Sequence, residues 1–447
     1  MPSATGEHAQ PSSSALERNA RLVSGHGKVS AIEIAMGVIV GRTSEFFDYF
    51  VYGIGSVLVF PYILFPNTPP LTATLYSFMI FPLAFIARPI GSVIFMAVDR
   101  RYGRGVKLTS SLFLLGGSTV LISFLPEYKQ VGALAIVLLS VFRFCQGLAL
   151  GGAWDGLASL LALNAPQRHR GWFAMIPQLG APLGFLLASA LFLFLEAYLS
   201  RDDFLDWGWR YPFFVAFAVN VVALFARLRL VATPAFVNLL EKDELQPTRV
   251  SEMLRSQWYN VIIGAFVPLA SYALFHLVTV FPLAWTGLHT DRSPVTFLTI
   301  QIAGGFIGLV FVTASGMIAD ITGRRPLLAV AAAMIAVFSF FTPVMLRGGV
   351  GGEITFICVG FALLGLSLGQ AAGSVSSNFP LRYRYTGSAL VSDLAWLTGA
   401  GFAPLVALGL SSEFGLVATG AYLLSGAVCT IGALVMNKQL EIRDDPG

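Results

Sequence analysis

The chain has 447 residues, of which 56% are apolar and only 12% are charged. A soluble domain carries roughly 25% charged residues, so these few charges cannot coat a soluble protein of this length. A soluble enzyme of about three domains is therefore excluded, and the net charge of +4 does not require a nucleic-acid partner. The composition indicates a polytopic membrane protein with room for about twelve helices of roughly 20 residues.

Twelve apolar segments are long enough to span a membrane, and they form two groups of six. We predict a cytoplasmic tail at 1–28, a six-helix bundle at 29–231, a cytoplasmic linker with a short amphipathic helix at 232–257, a second six-helix bundle at 258–436 and a tail at 437–447. The segments lie at 31–60, 72–98, 106–126, 131–163, 172–199, 209–231, 258–286, 294–318, 326–346, 353–376, 386–411 and 415–436.

The basic residues indicate which side of the membrane each loop faces. With twelve spans, one side holds both tails and five loops, and it carries 20 of the 28 lysines and arginines. The opposite side carries five, and three arginines lie inside spans. Loops rich in lysine and arginine stay in the cytoplasm. We therefore expect an integral protein of the bacterial inner membrane with both termini in the cytoplasm.

Three charged side chains lie well inside the first span, and each costs roughly 2.5–3.5 kcal/mol at bilayer depth. Arg42, Glu45, Asp48, Tyr49 and Tyr52 fall within about 120° of one helix face, and we expect this face to line a water-filled cavity. The arginine and the tyrosines are predicted to contact substrate. Because two acids one turn apart resist ionising together, either acid is a candidate for proton coupling. The alternative is an ion-paired packing cluster that never titrates.

Later spans of the first half carry three further candidates for substrate binding. Arg143 lies in the middle of the fourth span and is the natural partner for an acid on the first or fifth helix, either as a coupling pair or as a structural one. Arg88 lies about ten residues from the cytoplasmic end of the second span, where it can snorkel, pair or contact substrate. Gln178 flanks a glycine-rich stretch where a helix can bend, and its amide can bind substrate or another helix.

The second half offers fewer ionisable groups. Asp393 is the one acid well inside it, and with Trp396 three residues later it can face the cavity as a coupling group or hold helices together as a salt bridge. His276 can gain or lose a proton near neutral pH, so it is a possible proton relay, although a lone histidine is often only hydrogen-bonded between helices. Gln370 is a further candidate for substrate contact.

A loop pattern repeats at the same place in each group of six spans. The two loops read Asp99-Arg-Arg-Tyr-Gly103-Arg104 and Gly316-Met-Ile-Ala-Asp320-Ile-Thr-Gly323-Arg324-Arg325. Their glycines, 220 residues apart, permit tight turns. We expect Asp320 beside the N-terminus of the ninth helix, where its charge meets the helix dipole favourably. The repeat indicates two parallel halves related by an axis along the membrane normal.

The second loop resembles the signature loop of the major facilitator superfamily. Other stretches resemble the metabolite:proton symporter branch, which includes permeases for shikimate, 2-oxoglutarate, citrate and proline/betaine. They are Glu45-Phe-Phe-Asp48-Tyr-Phe-Val-Tyr-Gly53, Arg88-Pro-Ile-Gly91, Arg143-Phe-Cys-Gln146-Gly147, Arg170-Gly171 with Gln178-Leu-Gly180, Trp207-Gly-Trp-Arg210-Tyr-Pro212 and Arg382-Tyr-Arg384-Tyr-Thr386-Gly387. The resemblance implies an all-α fold of twelve transmembrane helices in two six-helix bundles, with a substrate site between them.

The resemblance also implies that the loops latch the two halves together on the cytoplasmic side. The gating residues would be Asp99, Gly103, Arg104, Gly316, Asp320, Gly323, Arg324 and Arg325, together with Asp155 near the cytoplasmic end of the fourth span. Some positions depart from the branch pattern. Met96 and Arg100 replace the usual glycine and aspartate of the first loop, and Ala153 replaces a glutamate of the fourth span, with Asp155 two positions late. The chain is identified as a divergent member.

The leading interpretation is a proton-coupled symporter of a small polar metabolite, an organic anion or zwitterion, that works by alternating access. Buried arginines favour a carboxylate-bearing substrate because guanidinium groups match carboxylates. A proton gradient is the expected energy source, without a cofactor or metal, and we expect a monomer in the bilayer. The alternatives are an uncoupled facilitator or exporter, and less plausibly a transporter-like sensor or a membrane enzyme. An enzyme is disfavoured because loops this short offer no catalytic cluster. An ATP-driven pump is disfavoured because no phosphate-binding glycine loop is present.

Overall fold

The structure is a computed structural model that describes residues 31–153, 167–231, 247–376 and 379–437. Within these ranges the chain is almost entirely helical. The predicted tail at 1–28, most of the predicted linker and most of the C-terminal tail lie outside the described residues. Asp155, a predicted gating residue, also lies outside them.

Twelve helices of membrane-spanning length run through the described residues in two groups of six. The first group is α1 (Ala31–Leu58), α2 (Pro70–Tyr102), α3 (Arg104–Ser123), α4 (Leu134–Gly152), α5 (Arg170–Tyr198) and α6 (Arg210–Val231). The second group is α7 (Val250–His289), α8 (Pro294–Thr322), α9 (Arg324–Arg347), α10 (Gly349–Ser376), α11 (Arg382–Phe414) and α12 (Leu416–Met436). Eleven of them are apolar enough to cross a membrane. The exception, α1, has the length but carries Arg42, Glu45 and Asp48.

Several of these helices are interrupted where they pass the middle of the protein. Helix α2 breaks at Phe81 and Pro82, and α7 breaks at Pro268. Helix α5 passes through a 3-10 turn at Ile176–Leu179, and α11 through a π-helical turn at Leu397–Gly401. Proline removes a backbone donor and clashes with the preceding turn, which explains the first two breaks. Broken helices of this kind line central sites in transporters.

Helix α7 begins in the predicted linker. It starts at Val250 and has a non-helical residue at Gln257, with φ −129° and ψ 18°. The kink coincides with the predicted boundary between the linker and the second bundle. The division of the chain into domains stays a prediction.

Small residues allow close packing inside the first bundle. A Cβ on Gly91, Gly147 or Gly151 would lie only 2.1–2.2 Å from a carbonyl oxygen of the facing helix, in the interface between α2 and α4. Membrane helices commonly approach through such small residues, which let the backbones come together. This contact fixes the position of Arg143 on α4 relative to Arg88 on α2.

The two bundles face each other along several helices. Helix α5 packs on α8 and α2 packs on α11, while the outer part of α7 (Phe281–His289) contacts α1 and α2. The halves therefore touch on both sides of the protein centre. The prediction of an all-α membrane protein with two six-helix bundles in the major facilitator arrangement is confirmed.

Candidate substrate and proton site

A small cavity lies between the halves, beside the middle of α1. Its volume is about 30 Å³, which suits water rather than a metabolite. Its wall comes from α1, α2, α4 and α11 and consists of Arg42, Glu45, Phe46, Tyr49, Ala84, Phe85, Arg88, Leu150 and Trp396. This cavity is therefore too small to hold a metabolite in this conformation.

Glu45 is held by two arginines. One carboxylate oxygen accepts a hydrogen bond from Arg42 at 2.5 Å, and the other accepts one from Arg227 at 2.5 Å. Arg227 belongs to α6 and also donates to the carbonyl of Ala153 at 3.0 Å. The interaction of Arg42 with Glu45, three residues away, is expected from helical spacing. Arg227 lies 182 residues from Glu45, so no spacing pattern points to it.

Asp48 lies one turn further along α1 in a different environment. Its Oδ1 accepts from the Thr119 hydroxyl at 2.5 Å and from the Asn220 amide at 3.4 Å, while its Oδ2 accepts from the Gln146 amide at 3.4 Å. The side chain is buried, and it forms no ion pair with the residues that the structure describes. Neutral donors from α3, α4 and α6 therefore surround this carboxyl group.

Arg143 is fully buried on α4. Its Nη1 donates to Oε1 of Gln146 at 3.1 Å, whereas Nε and Nη2 have no hydrogen-bond partner among the residues that the structure describes. The guanidinium carbon lies 3.8 Å from the ring centre of Tyr52, as in a cation–π contact. The predicted pairing of Arg143 with an acid is wrong for this conformation, because Gln146 stands between Arg143 and Asp48.

The predicted polar face of α1 divides into two parts. Arg42, Glu45 and Tyr49 line the cavity, whereas Asp48 and Tyr52 contact side chains inside the first bundle. At 100° per residue, Asp48 and Tyr52 lie at one edge of the predicted arc. An arc of about 120° is wide enough to face two different neighbours, so the expectation of one cavity-lining surface is corrected.

Tyr49 reaches across to the second half. Its hydroxyl is hydrogen-bonded to Nε2 of His276, while Nδ1 of that histidine has no hydrogen-bond partner in the described part of the chain. The Tyr49 ring also packs against Phe85 and Phe275, with ring centres 5.6 and 6.1 Å away, and against Trp396 at 6.3 Å. The second half therefore meets α1 mainly with aromatic rings. A relay role for His276 stays a prediction.

Asp393 forms an ion pair between the halves. Its Oδ1 accepts from Nε of Arg88 at 2.7 Å, and its Oδ2 accepts from the Ser92 hydroxyl. Of the two alternatives for Asp393, this conformation contains the salt bridge, and Arg88 contributes to the cavity wall. Because α2 and α11 belong to different halves, the pair must break when these helices separate. A coupling role for Asp393 stays a prediction.

The two repeated loops contain the same tight turn. Gly103 and Gly323 both have φ 85°, with ψ 165° and 155°, a conformation that residues with a side chain rarely adopt. Each glycine ends one helix and caps the start of the next. The predicted turns are present in both halves.

The first loop reaches the second half through a lysine. Asp99 interacts within its own half, with Arg104 at 3.4 Å and Lys107 at 3.9 Å. The Lys107 ammonium also donates to the Tyr385 hydroxyl on α11 at 2.7 Å. Asp99 thus holds the loop itself. Lys107, which sequence reasoning missed, makes this hydrogen bond between halves, and the Arg104 guanidinium carbon lies 4.7 Å from the ring centre of the same Tyr385.

Asp320 in the last turn of α8 caps a helix of the opposite half. Its carboxylate accepts from the backbone N–H groups of Gly171 at 2.6 Å and Trp172 at 3.3 Å, at the start of α5. The expectation that Asp320 meets the dipole of the ninth helix is wrong, because the capped helix is the fifth. Close approach requires glycine on both sides, since a Cβ on Gly171 would lie 2.9 Å from the carbonyl oxygen of Gly316.

Other predicted gating and substrate residues join this contact between the halves. Arg324 donates to the carbonyl of Arg170 at 2.9 Å across the halves, while Arg325 donates to the carbonyl of Leu434 at 2.9 Å within the second half. Gln370 donates to the carbonyl of Gly171 at 3.0 Å, so it lies with the loop contacts and not in the wall of the central cavity.

Gln178 is the remaining predicted substrate contact. It is buried in the 3-10 turn of α5, which packs on α1. It does not belong to the wall of the central cavity between the halves.

The fold and the site define a class of protein. Two six-helix bundles enclose a centre that is rich in arginine. The bundles contact each other through the repeated loops, and several of their helices are interrupted along their length. Molecules of this construction carry small solutes by exposing a central site to each side of the membrane in turn. The chain is an integral membrane transport protein.

Comparison with known proteins places the chain in a family. The family model described as "Sugar (and other) transporter" matches residues 34–264. The chain is 35% identical over 415 residues to the inner membrane metabolite transport protein YhjE of Escherichia coli (strain K12), which covers 91% of this chain and 94% of that relative. The chain belongs to this family of transporters, within the major facilitator superfamily.

More distant relatives have named solutes. The shikimate transporter of Escherichia coli (strain K12) is 28% identical over 416 residues, or 90% of this chain and 92% of that relative. The proline/betaine transporter of the same organism is 26% identical over 406 residues, or 87% of this chain and 80% of that relative. Both of these relatives, like YhjE, are transport proteins, and this chain is a transporter rather than an enzyme.

Solved structures share the fold. A D-xylose-proton symporter superposes with a TM-score of 0.69 at 19% identity, over 91% of this chain and 97% of the other. A partially occluded inward-open form of the xylose transporter XylE from E. coli gives a TM-score of 0.62 at 16% identity, over 93% and 97%. These likenesses show that the chain shares the fold of these two proteins.

Proposed function

We propose that the chain is a proton-coupled symporter of a small organic anion or zwitterion. It works in the bacterial inner membrane as a monomer, with both termini in the cytoplasm. A proton gradient is its energy source, and no bound cofactor takes part. The proposal assigns the proton to Asp48 and the substrate carboxylate to the arginines at the centre.

The observation that carries the proposal is the isolation of Asp48. Five acidic side chains are buried among the described residues, and four of them form an ion pair with an arginine: Glu45, Asp99, Glu353 and Asp393. Asp48 has none. Burying a carboxylate without a cation is costly, and such a group commonly takes a proton instead. Glu45, held by two arginines, is the better candidate for a fixed structural pair.

The charges at the centre favour an anionic or zwitterionic substrate. Among the described residues, this region holds the four arginines Arg42, Arg88, Arg143 and Arg227 and the three acids Glu45, Asp48 and Asp393. One positive charge is left over, and protonation of Asp48 leaves two. Arg143 keeps two nitrogens without partners, so it is the arginine best prepared to bind a carboxylate.

The names of the relatives agree with this class of solute. One relative is a shikimate transporter and another a proline/betaine transporter, which handle a carboxylate and zwitterions. The D-xylose-proton symporter resembles this chain in fold and couples an uncharged sugar to protons, so a sugar is the main competing substrate.

Two experiments test the proposal. A thermal-shift screen of the purified protein against carboxylates, amino acids, betaines and sugars at two pH values identifies the solute, and we expect a carboxylate to stabilise the protein most. Proteoliposomes with a pH-sensitive dye in the lumen then receive that solute from outside. We expect the lumen to acidify as solute enters. Solute entry without acidification indicates an uncoupled facilitator, and stabilisation by sugars alone overturns the substrate class.

A further inference from the structure

We propose that the side-chain amide of Gln146 is the switch that passes the protonation state of Asp48 to Arg143. The inference rests on the proposed function, in which Asp48 takes the proton and Arg143 binds the anionic substrate. It adds a positioning residue between the two, together with the movement that connects them.

Both the nitrogen and the oxygen of the Gln146 side-chain amide form hydrogen bonds. Its Nε2 donates to the Thr119 hydroxyl oxygen at 2.8 Å and to Asp48 at 3.4 Å, and its Oε1 accepts from Arg143 at 3.1 Å. The side chain is fully buried, as are Thr119 and Arg143. The amide thus lies between a carboxyl group and a guanidinium group that have no ion-pair partner among the described residues.

The direction of the amide follows from the charge on Asp48. An ionised carboxylate only accepts hydrogen bonds, and Thr119, Asn220 and Gln146 all donate to it in this conformation. With Nε2 turned toward Asp48, the amide oxygen faces Arg143. That oxygen is the acceptor for a guanidinium whose Nε and Nη2 have no partner. This arrangement is the one expected when Asp48 is ionised.

Protonation of Asp48 reverses this preference. A proton on Oδ2, the oxygen that faces the Gln146 amide, makes that oxygen a donor. It then needs an acceptor on this side, since an unsatisfied buried donor costs about 1–3 kcal/mol. A half-turn of the Gln146 amide presents Oε1 to that O–H group. The amide nitrogen then faces Arg143. Because both groups are hydrogen-bond donors, Arg143 loses its hydrogen bond to Gln146. The guanidinium is thereby released for a substrate carboxylate.

Through the same contacts, substrate binding on Arg143 affects the protonation of Asp48. A substrate carboxylate on Arg143 replaces the amide oxygen as acceptor and leaves Gln146 free to turn, which favours the protonated form of Asp48. Substrate and proton must raise each other's affinity by the same factor, because linkage is reciprocal. Gln146 neither carries the proton nor binds the substrate, and it acts through its hydrogen bonds to Asp48 and Arg143.

Infrared difference spectroscopy tests the switch without a ligand. Spectra of the purified protein in lipid vesicles are recorded on acidification. For the wild type we expect a new carboxylic C=O band and a simultaneous change in a glutamine side-chain amide band. Gln146→Met keeps the side-chain length but lacks the amide, so the C=O band remains and the amide change is lost. Asp48→Asn loses both signals.

Gln301 provides a matched control. It is also fully buried, and its amide donates to the carbonyls of Val278 and Thr279 in the second half. Gln301→Met should keep both signals. If Gln146→Met does not fold, wild-type protein with ¹⁵N-labelled glutamine replaces it, and the acid-induced amide band must shift with the label and vanish in Asp48→Asn.

The outcomes separate this inference from the proposed function. A wild-type C=O band without any amide change, or an amide change that persists in Gln146→Met, overturns the switch while Asp48 remains the proton site. A C=O band that survives in Asp48→Asn instead removes Asp48 as the proton site, and the proposed function fails with it.

Discussion

The two halves share one fold but differ in where they hold charge. The centre of the first half contains six charged side chains, namely Arg42, Glu45, Asp48, Arg88, Arg143 and Arg227. In the described part of the second half, the facing region contributes the carboxylate of Asp393, the imidazole of His276 and a wall of aromatic rings that includes Phe275 and Trp396. The two halves therefore share a fold but contribute different kinds of side chain to the centre.

This difference suggests that the two halves have different roles in transport. In the proposed function, proton and substrate binding fall to the first half, where Asp48 lacks an ion-pair partner and Arg143 keeps two nitrogens without a hydrogen bond among the described residues. The second half closes against it through apolar and aromatic contacts, with Asp393 and His276 as its polar contacts near the cavity. Comparable substitutions in the two halves can therefore test this difference between them.

The largest effect is expected from Glu45→Gln in the first half. The change leaves Arg42 and Arg227 without their carboxylate, and removal of one partner from a buried pair destabilises a protein by about 3–5 kcal/mol. Thermal unfolding of the purified variants measures the loss. Glu196→Gln is the control, because its partner Arg201 has a side chain that is 40% exposed, where a pair is worth about 1 kcal/mol or less. Equal losses in both variants would contradict a fixed Glu45 pair.

A smaller effect is expected from Asp393→Asn in the second half. The change removes the charge that binds Arg88, and hydrogen bonds to charged groups contribute about 1.5–3 kcal/mol. Arg88 faces the cavity, so water can replace the carboxylate in part. We expect a modest loss of stability together with easier separation of α2 from α11, visible as faster labelling of a cysteine introduced at Ala84. Unchanged labelling speaks against an inter-half role for this pair.

A substitution in the loop contact tests whether that contact is a latch, without changing the charged residues at the centre. Gly171→Ala places a methyl group against Ala319, Asp320 and the carbonyl of Gly316, at 2.7–2.9 Å. Such overpacking typically costs about 1–3 kcal/mol. Because this contact joins the halves, we expect the cytoplasmic side to open more easily and transport to fall. Gly117→Ala is the control, since a Cβ there meets no atom within 4 Å. Normal transport by Gly171→Ala would show that the contact is not a latch.

The smallest effect is expected from Tyr49→Phe. The change removes the hydroxyl that bonds His276 but keeps the ring and its aromatic contacts. The net loss should be about 0.5–1.5 kcal/mol, the usual contribution of one hydrogen bond. Thermal unfolding again measures it. A loss as large as that of Glu45→Gln would mean that the second half contributes more polar binding energy than the comparison allows.

The fold could be predicted from the sequence because its signals are repeated and local. Twelve apolar segments, the bias of basic residues to one side and two matching loops all report the same arrangement. The contact of Arg42 with Glu45 also follows from helical spacing. The turns at Gly103 and Gly323 follow from the backbone freedom of glycine.

The partners at the site could not be predicted, because they come from distant parts of the chain. Arg88 and Asp393 are 305 residues apart, and Asp320 is 149 residues from Gly171. Helical periodicity reports the face on which a residue lies but not the helix that packs there. For that reason helical spacing assigns the whole arc of α1 to one cavity, and the separation of Asp48 from Glu45 emerges only from tertiary packing.

The most direct test of the central claim is uptake by proteoliposomes that contain Asp48→Asn, using the solute found in the thermal-shift screen. We predict that an inward proton gradient no longer drives accumulation, while exchange at equal pH on both sides partly survives because the arginines remain. Asp202→Asn, at an exposed outer position, is the control and should accumulate solute as the wild type does. If Asp48→Asn still concentrates solute in response to the gradient, Asp48 is not the coupling group, and Asp393 or His276 takes its place.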